Sequence, residues 1–327
     1  MKILKTLDAG RWCDFLKDVP ESTIFQTPEM KKVYDLTKNY ESILLVLEQN
    51  GEIHDLLLAS LIKESGKLKE SFSSRAIVIG GPLSKSNDIR PIVKAYDEMA
   101  APKALYTQIR NLWDVSTSHQ IFEEIGYSYE EHLNYIHDLT RPLEKIWAEF
   151  SEGRKKGIKK AESKGIKIKE GEEEDIDIFY DLVQETYKGA KVPIADKTLF
   201  KSAWRVMRPK NMIRFLMATI GDETLAGRMI LTYHGILHDW YAGSTSTGRT
   251  LNANELIVWS AMQWGSKNGL RLFDFGGAGK PGEKYGPGEF KRRFGGEKTN
   301  YGRFEKVYHP VKHLVGKAGY KVIRRFG

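Results

Sequence analysis

The sequence predicts an α/β (α+β) chain of two similar domains, each a mixed, mostly antiparallel sheet flanked by helices. Three observations carry this expectation. At 327 residues the chain exceeds what one hydrophobic core usually fills, so two domains are expected. Its 41% hydrophobic and 11% aromatic content suits packed cores and excludes a disordered chain. Both halves also repeat one order of elements: helix, three strand-like runs, helix, short strand.

In the first half, Pro28 suits the first turn of a helix over PEMKKVYDLTKN. The run ESILLVLEQNGEIHDLLLASLIKE reads as two strands around the turn-forming Gln49-Asn50-Gly51. RAIVIGGP is a third apolar run ending on glycines, followed by a helix, IRPIVKAYDEMAA, and a strand, ALYTQIRN. In the second half, residues 176–188 and 197–207 read as helices. IRFLMATI, LAGRMILTYHG and ILHDWYAGS read as strands, the first two joined by a turn at Gly221-Asp222-Glu223. A helix over NANELIVWSAMQWGSKNG is capped by Asn252 or Asn254 and stopped by Gly269, and it buries Leu256, Trp259, Ala261, Met262 and Trp264. RLFDFGG and RFEKVYHP supply the last strands. Asp138-Leu139-Thr140-Arg141-Pro142 signals a joint before the helix LEKIWAEF, giving domains over 1–140 and 141–310. A terminal helix over 311–327 is expected to pack back on the first domain. This element order is that of the N-acetyltransferase-type (GNAT-like) fold, here in tandem.

The formal net charge is +8, with a pI near 9.2. From Lys280 onward thirteen Lys or Arg face four Asp or Glu, so this stretch alone accounts for the excess. A second basic run, Arg154 to Lys169, is followed by the acidic Glu172-Glu173-Glu174-Asp175. Two readings stand: an anionic ligand such as a phosphate, carboxylate or RNA, or a solvated surface. No apolar run approaches the roughly 20 residues of a membrane span. MKILKTLDAGRWCDFL has no sustained apolar region or small-residue cleavage site, and Cys13 is the sole cysteine, so a cytoplasmic location is expected.

The stretch FDFGGAGKPGEKYGPGEFKRRFGG, residues 273–296, holds the densest set of motifs. Gly277-x-Gly279-x-x-Gly282 has the spacing of a dinucleotide fingerprint, but Pro281 and Pro287 prevent the helix that must open inside it. A P-loop fails because Pro281 follows Gly279-Lys280 and Asp274 takes the upstream glycine position. What remains is a long loop beyond a strand end, with Phe290 and Phe294 as anchors and Lys291, Arg292 and Arg293 directed at an anionic ligand; a solvating surface loop is the plainer alternative. No G-x-S-x-G elbow occurs. Cys13 reads as a packing residue. His234 and His238 sit on a strand turn with no third ligand nearby, which argues against a metal site. AGSTSTGRTLNANEL, where N-acetyltransferases grip the pyrophosphate of coenzyme A, lacks the required glycine spacing.

Three stretches together resemble the Fem family of aminoacyltransferases, which build peptidoglycan cross-bridges. FDFGG…GEFKRRFGGE is similar to the family's C-terminal signature, GRKKGIKKAESKGIKI to the helix opening its second domain, and HDWYAGS to its aromatic strand. These span Trp147 to Tyr308; the first half matches through IFQTPEMKKVY alone. The coiled-coil arm of longer members has no counterpart here. The resemblance implies two GNAT-like domains, with no metal and no coenzyme A. It implies transfer of an amino acid from aminoacyl-tRNA to an amine on an anionic acceptor, a UDP-linked or lipid-linked peptide precursor. Transient contact with a membrane surface and a monomeric state accompany that expectation. An acyl-coenzyme A-dependent N-acyltransferase of the same fold and a non-catalytic RNA-binding or assembly module are the alternatives.

An aminoacyl ester is already activated, so such an enzyme mainly aligns a neutral amine against the carbonyl and stabilises the developing oxyanion. Lys291 is assigned that charge-stabilising role, or the grip on a substrate phosphate, as the family's matching lysine implies. Asp274 is expected beside it in a catalytic position, or else as a loop cap. Phe290, Phe294, Arg292 and Tyr241 are expected to line the same substrate cleft. Lys31 and Lys32 are assigned to the acceptor's anionic groups. Arg154, Lys155, Lys156, Lys159 and Lys160 are expected on tRNA phosphates or on a solvated helix face.

Overall fold

Asn50 and Gly51 both take left-handed backbone angles (φ 54° and 84°), and the tight turn they form folds β2 (Tyr40–Gln49) onto β3 (Glu52–Ile62). The computed structural model describes residues 1–63, 73–86, 88–190 and 194–315, without the side chains of residues 189 and 190. The chain divides into two units: Met1–Glu131 with Tyr301–Gly327, and His132–Asn300.

The first unit opens with β1 (Lys2–Leu4), α1 (Ala9–Asp18) and α2 (Pro28–Leu36). Asp8 caps α1 by accepting from the Gly10 and Arg11 amides, and the helix buries Trp12, Phe15 and Leu16. After β2 and β3 come β4 (Arg75–Ile79), β5 (Leu83–Ser84), α3 (Arg90–Ala100), β6 (Tyr106–Arg110), α4 (His119–Glu124) and β7 (Ser128–Glu130). The sheet runs β1-β2-β3-β4-β6, and its far side is completed by a strand from late in the chain, Arg303–Val307, set between β6 and β7. Strands β4 and β6 are parallel and paired along their whole length, from Arg75–Tyr106 to Ile79–Arg110. The pairing continues one residue further, where the Gly80 amide donates to the Arg110 carbonyl at 2.8 Å.

The second unit comprises β8 (Leu133–Asp138), α5 (Leu143–Glu149), α6 (Glu152–Ser163), β9 (Lys167–Glu170), α7 (Ile176–Ala190) and α8 (Thr198–Met207). These are followed by β10 (Ile213–Ile220), β11 (Glu223–Tyr233), β12 (Ile236–Ser244), α9 (Ser246–Thr250), α10 (Ala253–Lys267), β13 (Leu272–Gly277), α11 (Gly286–Arg292) and β14 (Glu297–Asn300). The sheet order is β14-β8-β13-β12-β11-β10-β9, with β12 and β13 as its parallel pair. Its core joins Phe150, Trp259, Phe273, Phe275 and Phe294 to the apolar face of α10. The strand Arg303–Val307 of the first unit is β15.

The tandem mixed-sheet architecture agrees with the sequence reading, but the division of the chain differs. Leu133–Asp138 falls on the far side of the expected boundary because it pairs with β13 and β14 of the second sheet. RFEKVYHP, expected in the second domain, lies in the first sheet. Residues 310–315 are helical, with His313 stacked on Tyr106 within the first unit; the rest of the expected helix lies outside the described residues. No helix among the described residues is long and apolar enough to cross a membrane.

Candidate active site

The parallel strands of the second unit pair over three residues only: Ile236–Leu272, Leu237–Phe273 and His238–Asp274. Beyond that point they part. Strand β12 stays on β11 as far as Ser244, with Trp240 as the extra residue of a bulge, while β13 follows β8 to the Gly277–Asn134 pair. A splayed parallel pair exposes backbone and side chains at carboxyl strand ends, where α/β sheets commonly take ligands.

His238 and Asp274 stand at the point of the split. Asp274 is 6% exposed, and each of its carboxylate oxygens is engaged. Oδ1 accepts from Asn134 Nδ2 and from the Gly276 amide, both at 2.7 Å, while Oδ2 lies 3.1 Å from His238 Nδ1. Burial pushes the carboxyl up, but His238 and the two donors outweigh it and hold Asp274 below its ordinary value. The bond to the Gly276 amide closes an Asx turn in which Gly276 adopts φ 67°. A Cβ on Gly276 would lie 3.6 Å from His238 Nε2, so this ring edge and the turn face each other.

Lys291, on α11, holds the same turn from its carbonyl side. Its Nζ donates to Phe275 O at 2.6 Å and to Gly277 O at 2.8 Å. Gly288 lets α11 sit this close, since a Cβ there would fall 2.2 Å from the Ala278 carbonyl. Asp274, His238 and Lys291 are therefore gathered on one strand end, as the sequence reading expected for the first and third.

The other expected site residues separate. Phe294 is fully buried in the core, and Arg154 is 5% exposed. The Arg154 guanidinium lies 4.5 Å from the Phe290 ring and 4.3 Å from the Phe294 ring, pairs with Glu255 at 2.5 Å and donates to Phe290 O. This corrects two assignments: Phe294 is a core residue rather than a substrate contact, and Arg154 is an internal clamp that cannot reach RNA phosphates. Phe290 is partly buried against the core and carries one face of that clamp. Arg292 stays exposed and pairs with Glu289, whose carboxyl is lowered to about 2 by Arg292 and Arg293. Tyr241 lies further along β12, half-buried against Phe200 and Tyr187. Lys155 is tied to Glu152 and the Ala148 carbonyl, and Lys160 reaches the Thr250 carbonyl, while Lys156 and Lys159 are exposed on α6. In the first unit, Lys31 pairs with Asp35 and lines, with Lys32, Trp12 and Leu44, a cavity of about 290 Å³.

The turn after β12 engages part of its own backbone. The Gly248 amide donates to Thr245 Oγ1, the Arg249 amide to Thr245 O and the Arg249 guanidinium to Ser244 O. Gly248 itself serves packing, because a Cβ would fall 2.2 Å from the Leu225 carbonyl. Sequence reasoning missed His238, Asn134 and the buried Arg228–Asp239 pair. HDWYAGS drew attention for its aromatics, and nothing in the spacing linked its histidine to an aspartate 36 residues on.

Residues 150–292 match the family described as an acetyltransferase (GNAT) domain. The fold is similar to the crystal structure of FemX, with a TM-score of 0.73 and 13% identity over 97% of this chain and 100% of that one. It is also similar to L-PGS from Bacillus licheniformis, with a TM-score of 0.59 and 14% identity over 95% and 96% of the two chains. A tandem GNAT protein from the clavulanic acid biosynthesis pathway gives a TM-score of 0.58 and 10% identity, covering 92% of this chain and 94% of its own. No match was found among curated protein sequences.

Proposed function

From a chain that carries the Fem-like tandem GNAT fold, we propose an N-acyltransferase whose chemistry sits in the second unit. One observation carries this reading. The second unit opens its parallel strand pair and furnishes the opening with His238, Asp274 and Lys291, whereas the first unit keeps its parallel pair closed to the last residue. An acyl donor entering the split brings its carbonyl against a strand end that Lys291 makes locally cationic. Charge developing on the carbonyl oxygen in the tetrahedral intermediate is stabilised by such a group without reorganisation of solvent. The remaining work is alignment of an amine, for which a fixed strand end is suited.

The donor we propose is aminoacyl-tRNA, and the acceptor an amine of a cell-wall peptide precursor or a similar anionic molecule. Support comes from the Fem-like signature around Lys291 and from the exposed cations Lys156 and Lys159 on α6. The turn after β12 also lacks the glycine spacing of a coenzyme A pyrophosphate grip, and its Gly248 and Arg249 amides are bonded to Thr245. An acyl-coenzyme A donor is the second reading, favoured by the GNAT domain match and by the clavulanic acid pathway protein, whose structure is described as lacking AcCoA. Transfer from charged tRNA and from acetyl-coenzyme A, each with and without ribonuclease, separates the two. Ribonuclease-sensitive transfer from tRNA alone is expected, and ribonuclease-resistant transfer from coenzyme A would replace the first reading by the second.

A further inference from the structure

We propose that His238 is the general base of the transfer, accepting the acceptor amine's proton at Nε2, and that Asp274 and Asn134 fix the ring in the tautomer this requires. The inference rests on the N-acyltransferase reading. Its ground is a three-residue relay assembled from three strands: Asn134 on β8, Asp274 on β13 and His238 on β12. A carboxylate beside Nδ1 makes Nδ1 the protonated nitrogen and leaves the basic lone pair on Nε2. The carboxylate cannot rotate away, because Asn134 and the Gly276 amide both hold its Oδ1. Nε2 lies on the side of the Gly276 turn, within the split and on the strand end that Lys291 grips.

The neutral amine nitrogen attacks the donor's carbonyl carbon, forming a C–N bond and placing positive charge on nitrogen and negative charge on oxygen. His238 Nε2 takes one proton from that nitrogen. The tetrahedral intermediate collapses with cleavage of the C–O ester bond, and the imidazolium returns the proton to the departing ribose oxygen. The products are an amide and a free hydroxyl, with His238 neutral again. For a thioester the leaving atom is sulfur and the proton path is the same.

The geometry makes Asp274→Asn an unusually informative change. Two donors already hold Oδ1, so the amide of the variant must keep its oxygen there and turn its NH₂ toward His238. The ring then accepts at Nδ1 and carries its proton on Nε2, which abolishes the base while preserving side-chain shape.

The test uses the full chain with aminoacyl-tRNA and acetyl-coenzyme A as donors and a UDP-linked peptide bearing a lysine amine as acceptor. Wild type, His238→Gln and Asp274→Asn are compared for kcat and for acceptor KM, and the ring is observed by ¹⁵N NMR. We expect both variants to lose about 10²–10⁴-fold in kcat with little change in KM, and the His238 proton to move from Nδ1 to Nε2 in Asp274→Asn. Partial rescue of His238→Ala by added imidazole supports the base directly and does not depend on the other variants folding. Turnover of His238→Gln within threefold of wild type, or an Nε2–H tautomer in wild type, overturns the assignment while leaving the N-acyltransferase reading intact. Failure of wild type with every donor overturns that reading and the base with it.

Discussion

Replacing Arg154 by alanine should destabilise the second unit, and should do so without removing any direct contact to RNA. The guanidinium is 5% exposed, lies between the Phe290 and Phe294 rings and pairs with Glu255. Removing one partner of a buried ion pair leaves the other uncompensated, at about 3–5 kcal/mol. The Glu255 side chain retains 14% of its exposure, so water recovers part of that loss and the lower end applies. Loss of the cation between two aromatic faces adds about 1 kcal/mol. The sum is about 4 kcal/mol, and at about 2–4 °C per kcal/mol for a domain of this size the midpoint should fall by about 10 °C. Thermal unfolding by calorimetry reads this directly, alongside filter binding of tRNA. Lys156→Ala with Lys159→Ala is the counterpart on the exposed face of the same helix: unchanged unfolding and weaker, less salt-dependent tRNA binding. An Arg154→Ala protein that melts within 2 °C of wild type yet binds tRNA poorly would refute the internal clamp.

Three further outcomes are expected. Lys291→Met should lower turnover by about 10²-fold and cost only about 1–2 kcal/mol of stability from two carbonyls losing a donor; near-normal turnover with the same stability loss would reduce Lys291 to a strand-end brace. His137 is buried and its pKa is lowered to about 4 from 6.5 by burial. The unfolded chain therefore takes up a proton that the folded one refuses, so stability is complete above pH 6.5 and declines toward pH 4, by up to ~3 kcal/mol. Denaturant titrations across that range should show a shallower acid decline in His137→Phe, and parallel curves would exclude His137 as the cause. Gly243→Ala should disrupt the seat of α7 on β12, because a Cβ there would come 2.4 Å from the Leu182 and Val183 backbone; a soluble variant with wild-type unfolding would show that the helix yields without cost.

The order of elements was legible because it rests on local signals. Pro28 opens its helix, Asn50-Gly51 turns its hairpin, and the apolar positions of α10 repeat at helical spacing. Lys291 and Asp274 were legible as a pair because both belong to one loop and its strand. Register was not legible, and it decided the rest. Asn134, His238 and Asp274 come from strands separated by up to 140 residues, so only the pairing of β8, β13 and β12 unites them. Arg154 misled for a related reason. It stands in a run of lysines at one end of α6, and nothing in that run reveals that its position faces Phe290 and Glu255 while Lys156 faces outward.

Why one parallel pair stays closed and the other opens follows from what holds each strand end. In the first unit, Gln26 is fully buried and donates to the Ile79 and Gly80 carbonyls, while the Gly80 amide binds Arg110 O, so β4 leaves the sheet only after its neighbour has ended. In the second unit the forces point apart. Arg228 on β11 pairs with Asp239 on β12, a contact in which both side chains are under 10% exposed, and this keeps β12 on the antiparallel side immediately after His238. Asp274 turns β13 the other way by taking the Gly276 amide for itself, and Lys291 takes the two carbonyls that flank it. A β12–β13 ladder continued past Asp274 would need either that amide or those carbonyls, which point to opposite edges of an extended strand, so the two contacts together leave neither edge of β13 open to β12. Two of the groups that open the split, Asp274 and Lys291, are therefore also groups assigned to its chemistry. Asp274→Asn leaves the Gly276 bond intact and should keep the split open with the base disabled, whereas Asp274→Ala, which frees the amide, should also let the strands close. Backbone NOEs between β12 and β13 beyond Asp274 distinguish the two variants: none are expected in the first, and a closed ladder produces them in the second.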